Sequence, residues 1–265
     1  MAAYGLFLAI HPRQGKEEPF LYRNGKAGRQ PQTVVILNGH LDKPGRCRNV
    51  SDVNAHGNPL SLDSQDALAA QRVAARGELA VAFEEGRTRL KRLHQQGAAV
   101  IRFPRRTDAL LEAVLINTAG GLTGGDRLAW QAEAGSGASL TLTTQACEKV
   151  YRSQVGRAEV SVRLRVGEGS RVNWLPQETI VFDRSAFSRR LDVDLAEGAS
   201  VLLAEATIFG RTAMGEAVQH CLFHDRWRVR SGERLVHAED FAIGPDTSRA
   251  LSRVAVAGSG IAVAT

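Results

Sequence analysis

The chain has 265 residues, of which 43% are hydrophobic and 23% are charged, and its formal net charge at neutral pH is +6. A chain of this length and balance can bury a core in one or two globular domains. Aromatic residues make up only 6% of it and its basic residues form no block, which does not fit the basic, aromatic-rich face of a nucleic-acid-binding module. No apolar run approaches the roughly 20 residues of a membrane-spanning helix. We therefore expect neither nucleic acid nor a membrane among its partners.

The cysteines and the N-terminus indicate a cellular compartment. Cys47, Cys147 and Cys221 are far apart and form no CxxC pair. This spacing indicates neither a disulfide framework nor a zinc knuckle. The first ten residues lack the basic start of a secretory signal peptide. These features predict a protein of the reducing cytoplasm.

A change in composition near residue 67 predicts two regions. Residues 1–66 hold five of the eight prolines and a single clear strand-like run, Thr33 to Leu37. Such a sequence buries little apolar surface, so we expect a poorly ordered N-terminal extension that can be deleted without loss of folding. Residues 67–265 form the predicted β domain, in which 67–76 could begin as a short helix and alternating runs follow from Gly77.

Glycine corners followed by strand-like runs recur about every 30 residues in this domain. Three of them, at Gly137, Gly169 and Gly198, are spaced 32 and 29 residues apart, and a weaker fourth lies at Gly232. Each is preceded by a second run in which apolar residues alternate with polar ones, which places one row inside and a charged row outside. Two strands per repeat predict a mainly β fold, a β-helix-like solenoid of stacked short strands with few helices. A β-sandwich, whose strands also recur regularly, is the alternative.

The most glycine-rich stretch is LINTAGGLTGGDRL, which begins at Leu115. Its two glycine pairs, Gly120–Gly121 and Gly124–Gly125, come directly before Asp126. Glycine pairs allow positive φ angles and a close approach to another surface. No Gly-Lys-Ser/Thr follows and no helical pattern opens after the loop, so it is neither a Walker loop nor a dinucleotide fingerprint. The loop is either a tight fold corner or a binding edge, and its residues favour the corner.

Histidine and serine give no catalytic constellation. On a strand, His220 and His224 would lie roughly 13 Å apart, which is too far for both to bind one metal ion. No Ser-His-Asp order and no nucleophile elbow is present. The sequence therefore offers no nucleophile with an activating partner.

Three glutamates, Glu178, Glu205 and Glu216, lie in or beside apolar strand-like runs. A carboxylate in such surroundings either pairs with a cation or lines a polar cavity, because burying it alone is costly. Pairing with Arg152 or Arg211 is at least as good an interpretation as a role in ligand binding.

Four stretches make the chain recognisable: LINTAGGLTGGDRL, LTTQACEKVYRS, NWLPQETIVFDRS and FGRTAMGE, in this order. They resemble the urease accessory protein D family (UreD, called UreH in some organisms), from about Gln71 to Thr265. The resemblance implies a β-helix-like fold and a non-enzymatic cytoplasmic chaperone. It also implies that the protein binds apo-urease and UreF, which recruits the GTPase UreG. Together they deliver nickel to urease, along a route proposed to be an internal tunnel. No tightly bound cofactor is implied, and nickel would only be in transit.

Matching by motif assigns residues to this expected role. Asp126 matches the acid of the Gly-Gly-Asp step, Glu178 that of the LPQE step and Glu216 that of the GE step. Nickel in transit must leave again, which suits oxygen ligands better than a closed Cys/His cage. We therefore expect these three carboxylates to line or gate a polar path. The other motif residues expected to matter are Gly120, Gly121, Gly124, Gly125, Glu148, Tyr151, Arg152, Gln177 and Arg211.

The chain departs from the family pattern at both ends. Residues 1–66 look unlike the family, and the chain stops at Thr265, where the family continues for a further strand and helix; this predicts a truncated C-terminus. Two other functions stay open. One is a solenoid enzyme acting on a carbohydrate or an acyl group, which would need Asp126, Glu178 and Glu216 clustered on one face. The other is a plain β interaction module.

Overall fold

The computed structural model describes residues 8–10, 72–105, 110–211 and 214–265. It is 59% strand and 4% helix, and its parallel strands stack into a β-solenoid of about four turns, which confirms the predicted fold class. Within the described ranges, no helix has the length and apolarity needed to cross a membrane.

The strands, in chain order, are β1 (Leu8–Ile10), β2 (Ala74–Glu84), β3 (Arg87–Gln96), β4 (Ala99–Arg102), β5 (Leu111–Asn117), β6 (Arg127–Ala134), β7 (Ser139–Thr144), β8 (Glu148–Val150), β9 (Ala158–Val166), β10 (Arg171–Trp174), β11 (Thr179–Val181), β12 (Ala186–Leu195), β13 (Ser200–Leu203), β14 (Ala206–Phe209), β15 (Leu222–Ser231), β16 (Arg234–Ile243) and β17 (Ala262–Ala264). One α-helix, α1 (Thr247–Ser252), follows β16. The short helix considered for 67–76 is wrong where the structure describes it, because Ala74 already begins β2. Residues 67–71 lie outside the described ranges.

Three sheets form the faces of the solenoid. Sheet A has the order β1-β13-β10-β7-β5-β4, sheet B the order β17-β14-β11-β8, and sheet C the order β16-β15-β12-β9-β6-β2-β3. The inner strands of each sheet pair in parallel, because the chain visits the three faces once per turn. Antiparallel strands cover both ends: β3 and β4 at the first turn, and β1, β16 and β17 at the last.

The predicted glycine corners join sheet C to sheet A. Gly137, Gly169 and Gly198 have φ angles of 72°, 63° and 66°. They stack on one another, since Gly137 donates its N–H to Glu168 O and Gly169 donates to Glu197 O, at 2.9 and 3.1 Å. The corner at Gly232 is different, because the strand that follows it runs back antiparallel to β15. The weak fourth repeat therefore ends the sheet instead of adding a turn.

The sequence predicted two strands per repeat, whereas each turn has three. The missed strands are β8, β11 and β14 of sheet B, which have only three or four residues. Such short strands leave too few positions for an alternating pattern to be visible. They coincide with the motifs singled out from the sequence.

The predicted alternation correctly separates the inner and outer rows of sheet C. Val162, Leu191 and Trp227 pair in register across β9, β12 and β15, and each is at most 2% exposed. The outward row carries charges, such as Asp192 between Arg163 and Arg228. This arrangement places the apolar core inside the solenoid.

The N-terminal extension is described only at β1, whose residues Leu8–Ile10 pair antiparallel with β13. The rest of 1–66 lies outside the described residues. That this region is poorly ordered and dispensable therefore stays a prediction, as does the truncated C-terminus.

Candidate functional site

The four sequence motifs converge on sheet B and on the loops that lead from it to sheet C. Leu122 bridges the edge of β8, donating its N–H to Lys149 O and accepting from Tyr151 N, both at 2.8 Å. Ser153 N donates to Arg184 O at 3.0 Å, and Arg184 N donates to His220 O at 2.6 Å. These bonds stack four loops into one column. We name it the motif corner: residues 118–126, 151–157, 182–185, 210–211 and 214–220.

The glycine loop is a close-packed part of the motif corner. A Cβ atom at Gly121 would collide with the Tyr151 ring, and one at Gly124 would collide with Ser153 Oγ and the Val155 carbonyl. Gly121 also has a φ of 150°, which residues other than glycine rarely adopt. The loop is thus the tight fold corner that its sequence favoured.

Asp126 fastens this loop to the start of the solenoid. Its side chain is buried, and its two oxygens accept hydrogen bonds from Val73 N at 2.9 Å and from Thr123 N at 2.7 Å. Buried carboxylates need such partners. The arrangement gives Asp126 a positioning role in the corner.

Glu216 lies at the other end of the column, where it joins two motifs. Its Oε2 pairs with Arg211 Nε at 2.6 Å, and its Oε1 accepts from Asp183 N at 3.4 Å. The Arg211 guanidinium lies 4.2 Å from the centre of the Phe182 ring, which packs edge-on against Tyr151. Of the two arginines that the sequence offered as partners, Arg152 and Arg211, the structure pairs Arg211 with Glu216.

Asp183 holds the last loop of the column to the one before it. Its Oδ1 accepts hydrogen bonds from Gln219 N and His220 N, at 2.8 and 2.9 Å. Partial burial acts to raise the pKa of this carboxyl, but the two N–H groups and the nearby Arg184 charge outweigh it and lower the pKa. Asp183 belongs to the quoted FDRS stretch, and only its neighbours in space show that it connects loops.

A cavity of about 170 Å³ opens beside the start of β8, next to Gly120 at the beginning of the glycine loop. Asn117, Trp130, Cys147 and Glu148 are among the residues that line it. Both Glu148 oxygens accept from Asn117 Nδ2, at 3.1 and 3.2 Å, yet burial raises the pKa of Glu148 to about 7. The cavity thus contains an acid that can be either protonated or charged near neutral pH.

Glu178 and Gln177 lie beside Glu148, where the chain enters β11. Glu148 N donates to Glu178 O at 3.0 Å, and Gln177 N donates to Thr144 Oγ1 at 2.9 Å. The Glu178 side chain is half-buried. Its position is at the start of β11, whereas Asp183 and Glu216 lie beyond the end of that strand.

Comparison with known proteins identifies the family. The model of the UreD urease accessory protein family matches residues 74–265. The Urease accessory protein UreD of Mesorhizobium japonicum is 61% identical over 196 residues, which cover 74% of this chain and 70% of that protein. Urease accessory protein UreD 1 of Brucella melitensis biotype 1 is 57% identical over 198 residues, covering 75% and 71%. The chain belongs to the UreD family of urease accessory proteins. Membership supports a role in urease maturation, and an accessory protein implies a supporting rather than a catalytic part.

The UreD-family chain also contains a buried ion cluster that sequence reasoning missed. Arg189 of β12 pairs with Glu205, with Nε and Oε2 2.8 Å apart, and with Asp225 of β15. Trp174 Nε1 donates to Glu205 Oε1 at 2.7 Å. Burial raises the pKa of Glu205 to about 7, against the opposing effect of the Arg189 charge. Glu205 was considered as a partner of Arg152 or Arg211, and that assignment is wrong.

A sequence signal for this cluster exists. Arg189 has the same parity as Leu191 and Val193, and Asp225 has the same parity as Trp227, so extending the alternation places both on the inner row. Their opposite charges predict a pair. Thr179 and Thr207, one on each neighbouring strand of sheet B, accept further hydrogen bonds from the Arg189 guanidinium, at 3.2 and 3.4 Å.

The structure does not gather Asp126, Glu178 and Glu216 into one cluster. Among the described residues, no group of three or more His, Cys, Asp or Glu side chains is arranged to hold a metal ion. Asp126, Glu178 and Glu216 therefore do not form the cluster on one face that the solenoid-enzyme alternative needed.

Proposed function

We propose that this UreD-family chain is a cytoplasmic chaperone of urease maturation, which binds apo-urease together with UreF and UreG and assists nickel insertion. The observation that supports it is the convergence of the four motifs. They are spread over residues 115–216, yet they meet at sheet B and the motif corner. The buried and half-buried acids Asp126, Asp183 and Glu216 position the loops, which suits a binding surface better than a catalytic centre.

Nickel enters this proposal as cargo. A passing cation needs carboxylates that hold it weakly and release it. Glu178 is half-buried, and no hydrogen bond or ion pair of its carboxylate is found among the described residues. The Oε2 atom of Glu216 is bound to Arg211, so a cation at this carboxylate would compete with the guanidinium. We propose that Glu178 and Glu216 contact nickel, and that Arg211 balances the charge of Glu216 after the nickel ion has left.

Asp126 has a different part in this proposal. Because both of its oxygens accept backbone hydrogen bonds from Val73 and Thr123, a cation bound there would compete with the bonds that hold the loop. We therefore propose that Asp126 shapes the path, while Arg152 supports the same corner through its backbone bridge to Ser185.

The experiment replaces each acid by its amide: Asp126→Asn, Glu178→Gln and Glu216→Gln. Urease activation would be measured in cells that supply the other accessory proteins, with UreF and apo-urease binding measured on the purified chain. Asp194→Asn on the outer face of sheet C is the matched control. We expect Glu178→Gln and Glu216→Gln to lower activation while binding persists. Full activation by both would remove them from the nickel path, and absence of binding by the wild type would overturn the proposed function.

A further inference from the structure

The exposed side of the motif corner has an unbalanced charge. Its four arginines, Arg152, Arg157, Arg184 and Arg211, are all exposed. Its three acids are Asp126, Asp183 and Glu216; the first is buried, and the other two are half-buried and already bound to arginine and backbone N–H groups. The described loops of the corner therefore present positive charge to solvent, with no exposed carboxylate among them.

Apolar side chains lie among these arginines. Val155 is 66% exposed and Met214 is 74% exposed, and Tyr151 is also exposed. Tyr, Met and Arg are enriched in protein–protein interfaces, where apolar residues form the centre and charged residues the rim. The loops that carry Val155 and Met214 are separated by one loop of the column, which corresponds to about 10 Å at the usual strand spacing. A single partner surface can cover both.

The outer face of sheet C shows what an ordinary charged surface of this molecule looks like. There, Arg163 is level with Asp192, and Arg165 with Asp194, so that positive and negative side chains alternate across the strands. Glu133 completes the row beside Arg165. Arg228 and Arg230 of β15 continue the two rows, so this face is also rich in arginine, but each row holds a carboxylate between its arginines. No exposed large apolar side chain lies among Arg163, Arg165, Asp192 and Asp194.

We infer that the exposed motif corner docks a protein partner whose own surface carries carboxylates around an apolar spot. Arg152 and Arg157 would contact the carboxylates, and Val155 and Met214 would contact the apolar spot. This inference rests on the proposed function, and it adds the place and the chemistry of the contact. Charged rims mainly accelerate association and make it sensitive to salt, whereas the apolar centre slows dissociation.

The test compares two charge-reversal pairs in the full chain. Arg152→Glu with Arg157→Glu changes the motif corner, and Arg163→Glu with Arg165→Glu makes the same change of net charge on sheet C. Binding to apo-urease and to UreF would be measured separately by surface biosensor, at about 50 and 500 mM salt. Circular dichroism would establish that both variants are folded. We expect the corner variant to bind one of the two partners at least about tenfold more weakly and to lose the salt dependence, with the sheet C variant close to wild type.

A second variant tests the apolar centre. Met214→Ser should increase the dissociation rate of the same partner and leave the salt dependence unchanged. Wild-type binding by both charge variants, or equal loss by both, would overturn the inference while leaving the proposed function in place. Tighter binding of the wild type to polyuridylate than to either protein would indicate a nucleic-acid surface and would also overturn it. If the wild type binds neither protein, the proposed function fails and the inference fails with it.

Discussion

The same two strands carry charge in two very different ways. On β12, Arg189 points into the solenoid with 7% of its side chain exposed, while the next residue, Arg190, points outward with 47% exposed. On β15, Asp225 lies inside and Arg226 outside. The inner charges form a closed cluster with Glu205, whereas the outer charges form alternating rows in water.

This difference shows that counting charged residues says little about what each one does. Water screens the outer rows, so an ion pair there is worth about 0–1 kcal/mol. The inner cluster is buried, so removing one charge leaves the others buried without compensation. The net charge of +6 adds up inner and outer charges of the whole chain, so it does not reveal the inner cluster, which must be found from strand parity.

The largest effect is expected when the inner cluster loses its only arginine. Arg189→Met leaves Glu205 and Asp225 buried without the cation that both contact. Breaking a buried pair in this way costs about 3–5 kcal/mol of unfolding free energy. Urea denaturation would measure it. Arg190→Met on the same strand is the control and should change stability by less than about 0.5 kcal/mol. Similar effects of the two substitutions would contradict the comparison.

An inward-facing carboxylate with no cation beside it should make the free energy of unfolding depend on pH. Glu148 is level with Thr179 and Thr207 on the inner row of sheet B, and its pKa rises from 4.5 to about 7 in the folded state. Between these values the folded chain keeps a proton that the unfolded chain has lost, so raising the pH lowers the stability contributed by this group. When the pKa in the folded chain exceeds that in the unfolded chain by one, the free energy of unfolding changes by about 1.4 kcal/mol across that range.

Glu148→Gln should remove that dependence. We expect the variant and the wild type to be similarly stable below pH 4.5, and the variant to gain on the wild type as the pH rises to 7 and to stay ahead above it. Thermal unfolding across this range would measure the difference. Glu133→Gln on the outer face of sheet C is the control. A difference that does not change with pH would show that the Glu148 carboxyl ionises normally.

A smaller effect is expected from the hydroxyl groups that support the inner cluster. Thr179→Val keeps the shape of the side chain but removes the oxygen that accepts from Arg189 Nη1 at 3.2 Å. The cost should be about 1 kcal/mol, that of one buried hydrogen bond. Thr143 lies on the outward row of sheet A, and Thr143→Val should leave the free energy of unfolding unchanged in the same urea measurement. An unchanged stability of Thr179→Val would show that the arginine finds another acceptor.

The smallest effect is expected on the outer face. Asp192→Asn removes a carboxylate oxygen that lies 2.9 Å from Arg190 Nε. Because the arginine side chain is well exposed, we expect a change of less than about 0.5 kcal/mol, with a difference that shrinks further in high salt. A loss approaching that of Arg189→Met would mean that the outer rows also hold the fold together.

Much of the fold was accessible from local patterns, and the site much less so. The corners at Gly137, Gly169 and Gly198 were predicted because a tight corner with a positive φ usually requires glycine, and glycine can be read from the sequence. The role of Asp126 in holding the glycine loop could not be predicted. Its partner Val73 lies 53 residues away, and only the stacking of turns brings the two together. The contact between Asn117 and Glu148 also joins residues that are far apart in sequence, by 31 positions, and no local pattern around either residue predicts it.

The sequence by itself determined the solenoid class, the inner and outer rows of the long strands, and the family to which the chain belongs. These depend on alternation, on glycine at corners and on ordered motifs, all of which are properties of neighbouring residues. Only the tertiary structure decided that sheet B exists as a third face, that four motifs form one column, and that Arg189 holds Glu205 and Asp225. The physical reason is that parallel stacking brings together residues about one turn apart, and their pairing depends on register, which no single stretch of sequence specifies.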